Sequence, residues 1–158
     1  MKSTDLTYIY NVIDEWIDYN GHMNDSAYGV VFSQSVDRFL EDIGLDEENR
    51  NKHNYGVYTL ENHICYLKEA HKDQSIKVDF RVLDYDAKRI HCFLQLKDEE
   101  GDVLATSEQM LMGMDTKTGK PGVFPDWMEK EIGAIYNGQK QQHPPEQVGR
   151  TIGIRRKK

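Results

Sequence analysis

Trp16-Ile17-Asp18-Tyr19-Asn20-Gly21-His22-Met23-Asn24-Asp25-Ser26-Ala27-Tyr28 is the stretch where the chain passes from an extended to a helical pattern. It places a carboxylate, a glycine, an imidazole and an amide just before the strongest helical periodicity in the sequence. Asn24, Asp25 and Ser26 are all types that cap a helix N-terminus, because a short side-chain oxygen can take an orphaned first-turn amide. An apolar face follows through Tyr28, Val31, Phe32, Val36, Phe39, Leu40 and Ile43, and Gly44 supplies the stop. The spacing predicts a helix over 24–43. A strand-like run, a glycine turn and a helix start would gather backbone N–H donors near Asp18. Those parts suit an acyl carbonyl, with donors for its oxygen and a carboxylate to attack it or to activate water. The same residues would also serve a plain capped helix, with Gly21 only turning the chain.

Upstream, 7–17 is rich in Tyr, Ile and Val and reads as a first strand with an irregular exit. Trp16, Ile17 and Tyr19 then form an apolar wall expected to desolvate Asp18 in part. Downstream of the helix, 46–52 reads as a charged connector of one loose turn, followed by strand patterns at 54–67, 75–85, 90–97 and 103–114. In the first of these, alternation puts Tyr58, Leu60, Ile64 and Tyr66 on one face and Thr59, Glu61, His63 and Cys65 on the other. Glu61 and His63 read equally as a functional pair and as a solvent-facing polar stripe. The last strand is apolar on both faces at Met110, Leu111, Met112 and Met114, as a central or interface-covered strand is. One long helix with a wide apolar face needs a sheet to cover it. The expected class is α+β, a central helix wrapped by a five-stranded antiparallel sheet. A short helix is expected over 126–136. Residues 1–137 form the domain in this reading, and 138–158 a polar, mobile tail.

A chain of 158 residues suits one domain with a single core. Its 38% hydrophobic and 30% charged residues describe a globular protein, with no apolar run near the roughly 20 residues of a membrane span. No signal-peptide pattern opens the chain. A net charge of -7 argues against a broad nucleic-acid surface while leaving room for a local basic patch. Cys65 and Cys92 lie inside strand patterns and read as free thiols of a reducing cytoplasm. The six histidines show no zinc-ligand spacing, and no serine-hydrolase, dinucleotide or nucleotide motif is present. No metal or cofactor is expected.

Asp18-Tyr19-Asn20-Gly21-His22-Met23-Asn24, followed by Tyr28, resembles the D-x-x-G-H-x-N…Y signature of hotdog-fold acyl-CoA thioesterases of the 4-hydroxybenzoyl-CoA thioesterase type. The run 58–67 resembles that family's next strand, so the likeness covers roughly 8–114. Hydratases of the same fold place an imidazole five residues after the carboxylate, with a proline between; here His22 lies four after Asp18 and Gly21 stands where the proline would. The full spelling is closest to the thioesterases fused to, or encoded beside, carnitine dehydrogenase and assigned to betainyl-CoA. The resemblance implies a hotdog fold that hydrolyses a small acyl-CoA to free acid and CoA, with betainyl-CoA of carnitine degradation as the candidate substrate. It makes Asp18 nucleophile or general base, with amides from Gly21 into the helix start polarising the carbonyl. His22 and Asn24 would hold the loop or the attacking water, and Tyr28 would pack against it. Glu61 and His63 would face the site across the interface of a homodimer or dimer of dimers, with no nucleic acid or membrane as partner. A trimethylammonium acyl group would be met by aromatic faces and diffuse negative charge, for which Trp16, Tyr19, Tyr28, Tyr58 and Tyr66, with Asp25 and Glu61, are the candidates. The rival reading is a non-catalytic acyl-CoA-binding module, although a mere binder has little use for a partly buried carboxylate.

Overall fold

The computed structural model describes residues 5–157. In chain order it has strand β1 (Leu6–Asn11), a 3-10 turn (Asp14–Trp16), the long helix α1 (Asp25–Asp42) and a short helix α2 (Glu47–His53). Strands β2 (Tyr55–Tyr66), β3 (Ser75–Tyr85), β4 (Arg89–Lys97) and β5 (Val103–Asp115) follow, then a two-residue β6 (Lys120–Pro121) and helix α3 (Asp126–Gln139). The five long strands form one antiparallel sheet in the order β1-β3-β4-β5-β2, with β6 added beside β5. This is the hotdog architecture expected from the sequence. No helix among the described residues is long and apolar enough to cross a membrane.

Helix α1 forms because its apolar positions recur at helical spacing, and it survives because the sheet buries them. Val31, Phe32 and Phe39 are fully enclosed, and Phe39 stacks on Phe80 of β3 with centroids 4.0 Å apart. Each such side chain contributes about 1.5–3 kcal/mol by leaving water. From the sheet, Ile90, Cys92, Leu94 and Leu96 of β4 and Leu111 of β5 meet this core at zero exposure. Polar hooks fix the helix along β1. The Tyr8 hydroxyl donates to Asp42 Oδ2 at 2.6 Å, Tyr10 Oη lies 2.9 Å from Ser35 Oγ, and Arg38 covers both tyrosine rings.

Four local expectations change. The connector 46–52 is helical, because Asp46 accepts the Asn49 amide as an N-cap and Asn54 closes the far end in the left-handed region at φ 49°. Strand β1 ends at Asn11, and 12–24 is a looped segment rather than a strand exit. Helix α3 runs to Gln139, past the expected end at 136. The reason is that β1 pairs with β3 only as far as Phe80, which leaves the next stretch of edge bare. There the Gln139 side chain accepts the Val82 amide at 2.8 Å and donates to the Phe80 carbonyl at 3.2 Å, as a strand backbone would.

The fourth change decides which residues share a face. Thr59 pairs with Leu111 and Glu61 with Met110, so Leu60 is an extra residue in a β-bulge. The bulge reverses the alternation. Tyr58 opposes Met112 on the outer face of the sheet, together with Glu61 opposite Met110 and His63 opposite Glu108. Asn62, Ile64 and Tyr66 face inward. The expected grouping of Tyr58 with Tyr66 is therefore corrected. Beyond α3 the chain crosses this outer face: Arg81 donates to the carbonyls of Gln142 and His143, and the Gly149 amide donates to Glu108 Oε1 at 2.7 Å.

Candidate active site

The loop before α1 closes on itself around Asp18. The Gly21 amide donates to the Asp18 carbonyl at 3.0 Å and the Asp18 amide to the His22 carbonyl at 2.9 Å. Gly21 makes this turn possible, since its φ of +79° strains a residue bearing a Cβ. The half-buried Asp18 carboxylate is oriented from within the loop. Its Oδ1 accepts the amides of Asn20 at 2.9 Å and His22 at 3.2 Å. Among the described residues, Oδ2 has no hydrogen-bond partner, so one oxygen is fixed and the other is open to react.

The helix start supplies the other half. Asn24 is the N-cap, its side-chain oxygen taking the Ser26 amide at 3.0 Å. The expected run of donors from Gly21 onward is revised by the bonds these amides already make. Gly21 and His22 serve Asp18, Met23 donates to the Ala70 carbonyl at 2.9 Å, and Asn24 to the Trp16 carbonyl at 2.7 Å. Among the described residues the Asp25 amide is without a partner, at the positive end of an 18-residue helix. Of the helix-start amides, Asp25 is thus the one left free for an acceptor, while the Gly21 amide is spent on the turn.

A second segment, the β2–β3 connection, is stitched onto this loop. His22 and His71 form an isolated antiparallel bridge, and the Ala70 amide donates to the Tyr28 hydroxyl at 3.1 Å. Glu69 Oε2 lies 3.2 Å from His22 Nδ1, and the His71 ring meets the His22 ring edge-on at 5.2 Å. At the end of β2, Tyr66 packs edge-on against Tyr28 at 5.3 Å and donates its hydroxyl to the Asp25 carbonyl at 3.1 Å. The local charge is negative. Asp18, Asp25 and Glu69 ring the helix start, while Lys68 and Lys72 are paired with Asp102 and Asp14 at 3.0 and 3.2 Å.

Among the expected site residues, Trp16, Asp18, Gly21, His22, Asn24, Asp25 and Tyr28 gather in this one region. Two of the expected aromatic contacts change character. Tyr28 is only 3% exposed, with burial raising its phenol pKa, so it offers no ring face and acts as a strut under Tyr66. Tyr19 is 98% exposed at the corner of the turn and walls nothing within this chain. Tyr58, Glu61 and His63 lie apart. Glu61 is five residues from Tyr66, about 16 Å along the strand, and it lines an outer-face groove with His63, His91, Glu108 and Gly149. In that groove His91 Nε2 sits 2.6 Å from Glu108 Oε2. Glu69, His71 and the outer-face pair escaped the sequence reading, because neither helical nor strand periodicity marks residues in an irregular connection or pairs 17 apart.

The site is open on the side of β2. That strand is an edge of the sheet, 12 residues long, with Leu60 at 51% and Tyr66 at 53% exposure along it. An uncovered edge of this length and apolarity is a ready surface for another strand.

Comparison with known proteins agrees with the geometry. Residues 12–132 match the model of the thioesterase-like superfamily. The chain is 35% identical over 155 residues to a betainyl-CoA thioesterase of Pseudomonas aeruginosa, covering 98% of each. It is 37% identical over 143 residues to an L-carnitine dehydrogenase/betainyl-CoA thioesterase of Rhizobium meliloti, of which it spans 28%. A Staphylococcus aureus protein solved in complex with CoA superposes with a TM-score of 0.93 at 36% identity, over 98% of both chains. A DHNA-CoA thioesterase of the same species shares the fold, with a TM-score of 0.74 at 19% identity over 84% of this chain and 93% of that one. With an oriented carboxylate, an unpaired helix-start amide and these relatives, the chain belongs to the thioesterase-like superfamily, as an acyl-CoA thioesterase of the hotdog fold.

Proposed function

We propose that the chain hydrolyses betainyl-CoA to betaine and CoA at the Asp18 loop. The observation that carries the site is the Asp18 carboxylate, one oxygen held by two amides and the other without a partner among the described residues, in the loop that leads into the helix start where the Asp25 amide is unpaired. The Asp25 amide, aided by the helix dipole, polarises the thioester carbonyl and holds the charge that develops on its oxygen. Asp18 Oδ2 attacks the carbonyl carbon or takes a proton from the attacking water. Asn24 and His22 keep the loop in register with the helix.

The acyl group is read from the site's charge and from the name of the relative that shares its whole length. A trimethylammonium offers no N–H and is recognised by aromatic faces and negative surroundings. Tyr66 presents a half-exposed ring locked by Tyr28 and the Asp25 carbonyl, amid the carboxylates of Asp18, Asp25 and Glu69. Of the aromatic candidates, Tyr66 fits this part best, with Trp16, whose carbonyl takes the Asn24 amide, as the second.

Two finer readings accompany this one. The active form is a homodimer joined along the exposed β2 edge, which encloses the open side of the site and lets Tyr58, Glu61 and His63 contribute from a second copy. The compartment is the cytoplasm, in keeping with two free thiols. The direct test is thiol release from a panel of acyl-CoAs that includes betainyl-CoA and 3,3-dimethylbutyryl-CoA, which has the same shape without the charge. The proposal expects betainyl-CoA to have the higher kcat/KM by at least about tenfold, equivalent to 1.4 kcal/mol of charge recognition. Equal values, or a preference for the neutral ester, would leave a general short-chain thioesterase.

A further inference from the structure

We propose that Glu69 is a positioning residue for His22 and that His22 Nε2 takes the proton from the hydrolytic water. This rests on the reading of the Asp18 loop as a thioester-hydrolysing site, and it gives Asp18 the nucleophile's part. Glu69 and His22 are 47 positions apart and are brought together by backbone pairing. The Met23 amide bonds to the Ala70 carbonyl at 2.9 Å, and His22 bridges His71, so the two segments run side by side. That pairing sets Glu69 Oε2 3.2 Å from His22 Nδ1. The ring is restrained a second time by the edge of His71, at 5.2 Å and 63°. The Ala70 amide, bonded to the buried Tyr28 hydroxyl, ties the same connection to α1.

A carboxylate beside Nδ1 keeps the imidazole proton on that nitrogen and leaves the lone pair on Nε2, at the opposite side of the ring. The His22 amide simultaneously holds Asp18 Oδ1, so nucleophile and base are set by one residue's backbone and side chain. The chemistry balances in two steps. Asp18 Oδ2 bonds to the thioester carbon, the C–S bond breaks, and its electron pair leaves on sulfur, giving an acyl anhydride and CoA thiolate. Water oxygen then bonds to the acyl carbon while its proton passes to Nε2, and the bond to Asp18 breaks with its pair returning to the carboxylate. The imidazolium proton passes to the thiolate, restoring neutral His22. Among the described residues, the charged or titratable groups at His22 in this process are Asp18, Glu69 and His71.

The test compares the full-length wild type, Glu69→Ala and Glu69→Gln by steady-state thiol release and by long-range proton–nitrogen NMR of the His22 ring. Glu69→Ala is expected to lose on the order of tenfold to a hundredfold in kcat with KM nearly unchanged, part of what a well-placed general base contributes. Glu69→Gln keeps an oxygen that can accept from Nδ1–H and is expected to recover most of that loss. The ring should carry its proton on Nδ1 in the wild type and in Glu69→Gln, and shift toward Nε2–H in Glu69→Ala. An active wild type with an unimpaired Glu69→Ala, or a ring tautomer indifferent to residue 69, would overturn the positioning role. A folded wild type that releases thiol from no acyl-CoA would overturn the hydrolysis reading beneath it.

Discussion

Replacing Gln139 with Ala should cost this protein a large share of its stability although the side chain is far from the Asp18 loop. Gln139 is almost fully buried, and its amide satisfies two backbone groups of β3 where β1 no longer reaches. The residues carrying those groups, Phe80 and Val82, are themselves buried. Truncation leaves an N–H and a C=O without partners, each costing about 1–3 kcal/mol. Water admitted to the vacated space would recover part of this, so the net expectation is about 2–4 kcal/mol. For a chain of this size, 1 kcal/mol moves the thermal midpoint by roughly 2–4 °C. The midpoint should therefore fall by about 4–16 °C. Urea denaturation of wild type and variant, with the slope checked for constancy, converts the midpoint difference to free energy. Lys140→Ala, at an exposed neighbour, serves as the control. A Gln139→Ala loss below about 0.5 kcal/mol would refute the reasoning that this side chain completes the sheet edge, since that is the scatter of an ordinary surface substitution.

Gly21→Ala should retain the fold but strain the φ +79° turn by about 1–2 kcal/mol, lowering kcat as Asp18 loses its orientation; an unchanged kcat would separate the turn from catalysis. Tyr66→Leu should lower kcat/KM for betainyl-CoA by roughly 2- to 30-fold, the equivalent of one cation–π contact of about 0.5–2 kcal/mol, and change 3,3-dimethylbutyryl-CoA less. Light scattering at micromolar concentration should give a mass of at least twice the 18.4 kDa chain, and an active monomer would rule out assembly along β2. Burial pushes the Cys92 thiol well above the usual range, so alkylation at pH 8 should mark Cys65 and spare Cys92 until the protein unfolds.

The sequence made the scaffold legible because α1 and the meander obey simple periods. The helix expected over 24–43 is observed as Asp25–Asp42 with Asn24 as its cap, and the strand expected over 75–85 is Ser75–Tyr85. The Asp18 loop was legible for a related reason, since its carboxylate, glycine and caps are local and their bonds span only a few residues. What escaped depends on pairing at a distance. A bulge at Leu60 cannot be seen in one strand alone, because it exists only in register with β5, and it moved Tyr58 to the outer face. The contacts of Glu69 and His71 with His22 arise from a bridge between two irregular segments. The engagement of the Gly21 to Asn24 amides likewise followed from where Trp16 and Ala70 place their carbonyls.

The most direct measurement is the turnover of Asp18→Asn on betainyl-CoA, followed by thiol release, alongside a binding assay with CoA. Asn keeps the shape and an oxygen for the amides of Asn20 and His22, and it removes the charge needed either to attack the carbonyl or to take the proton from water. The expected result is a fall in kcat on the order of 10²–10⁴ with fold and CoA affinity retained. A variant that turns over at near the wild-type rate would contradict the assignment of Asp18 as the reacting group.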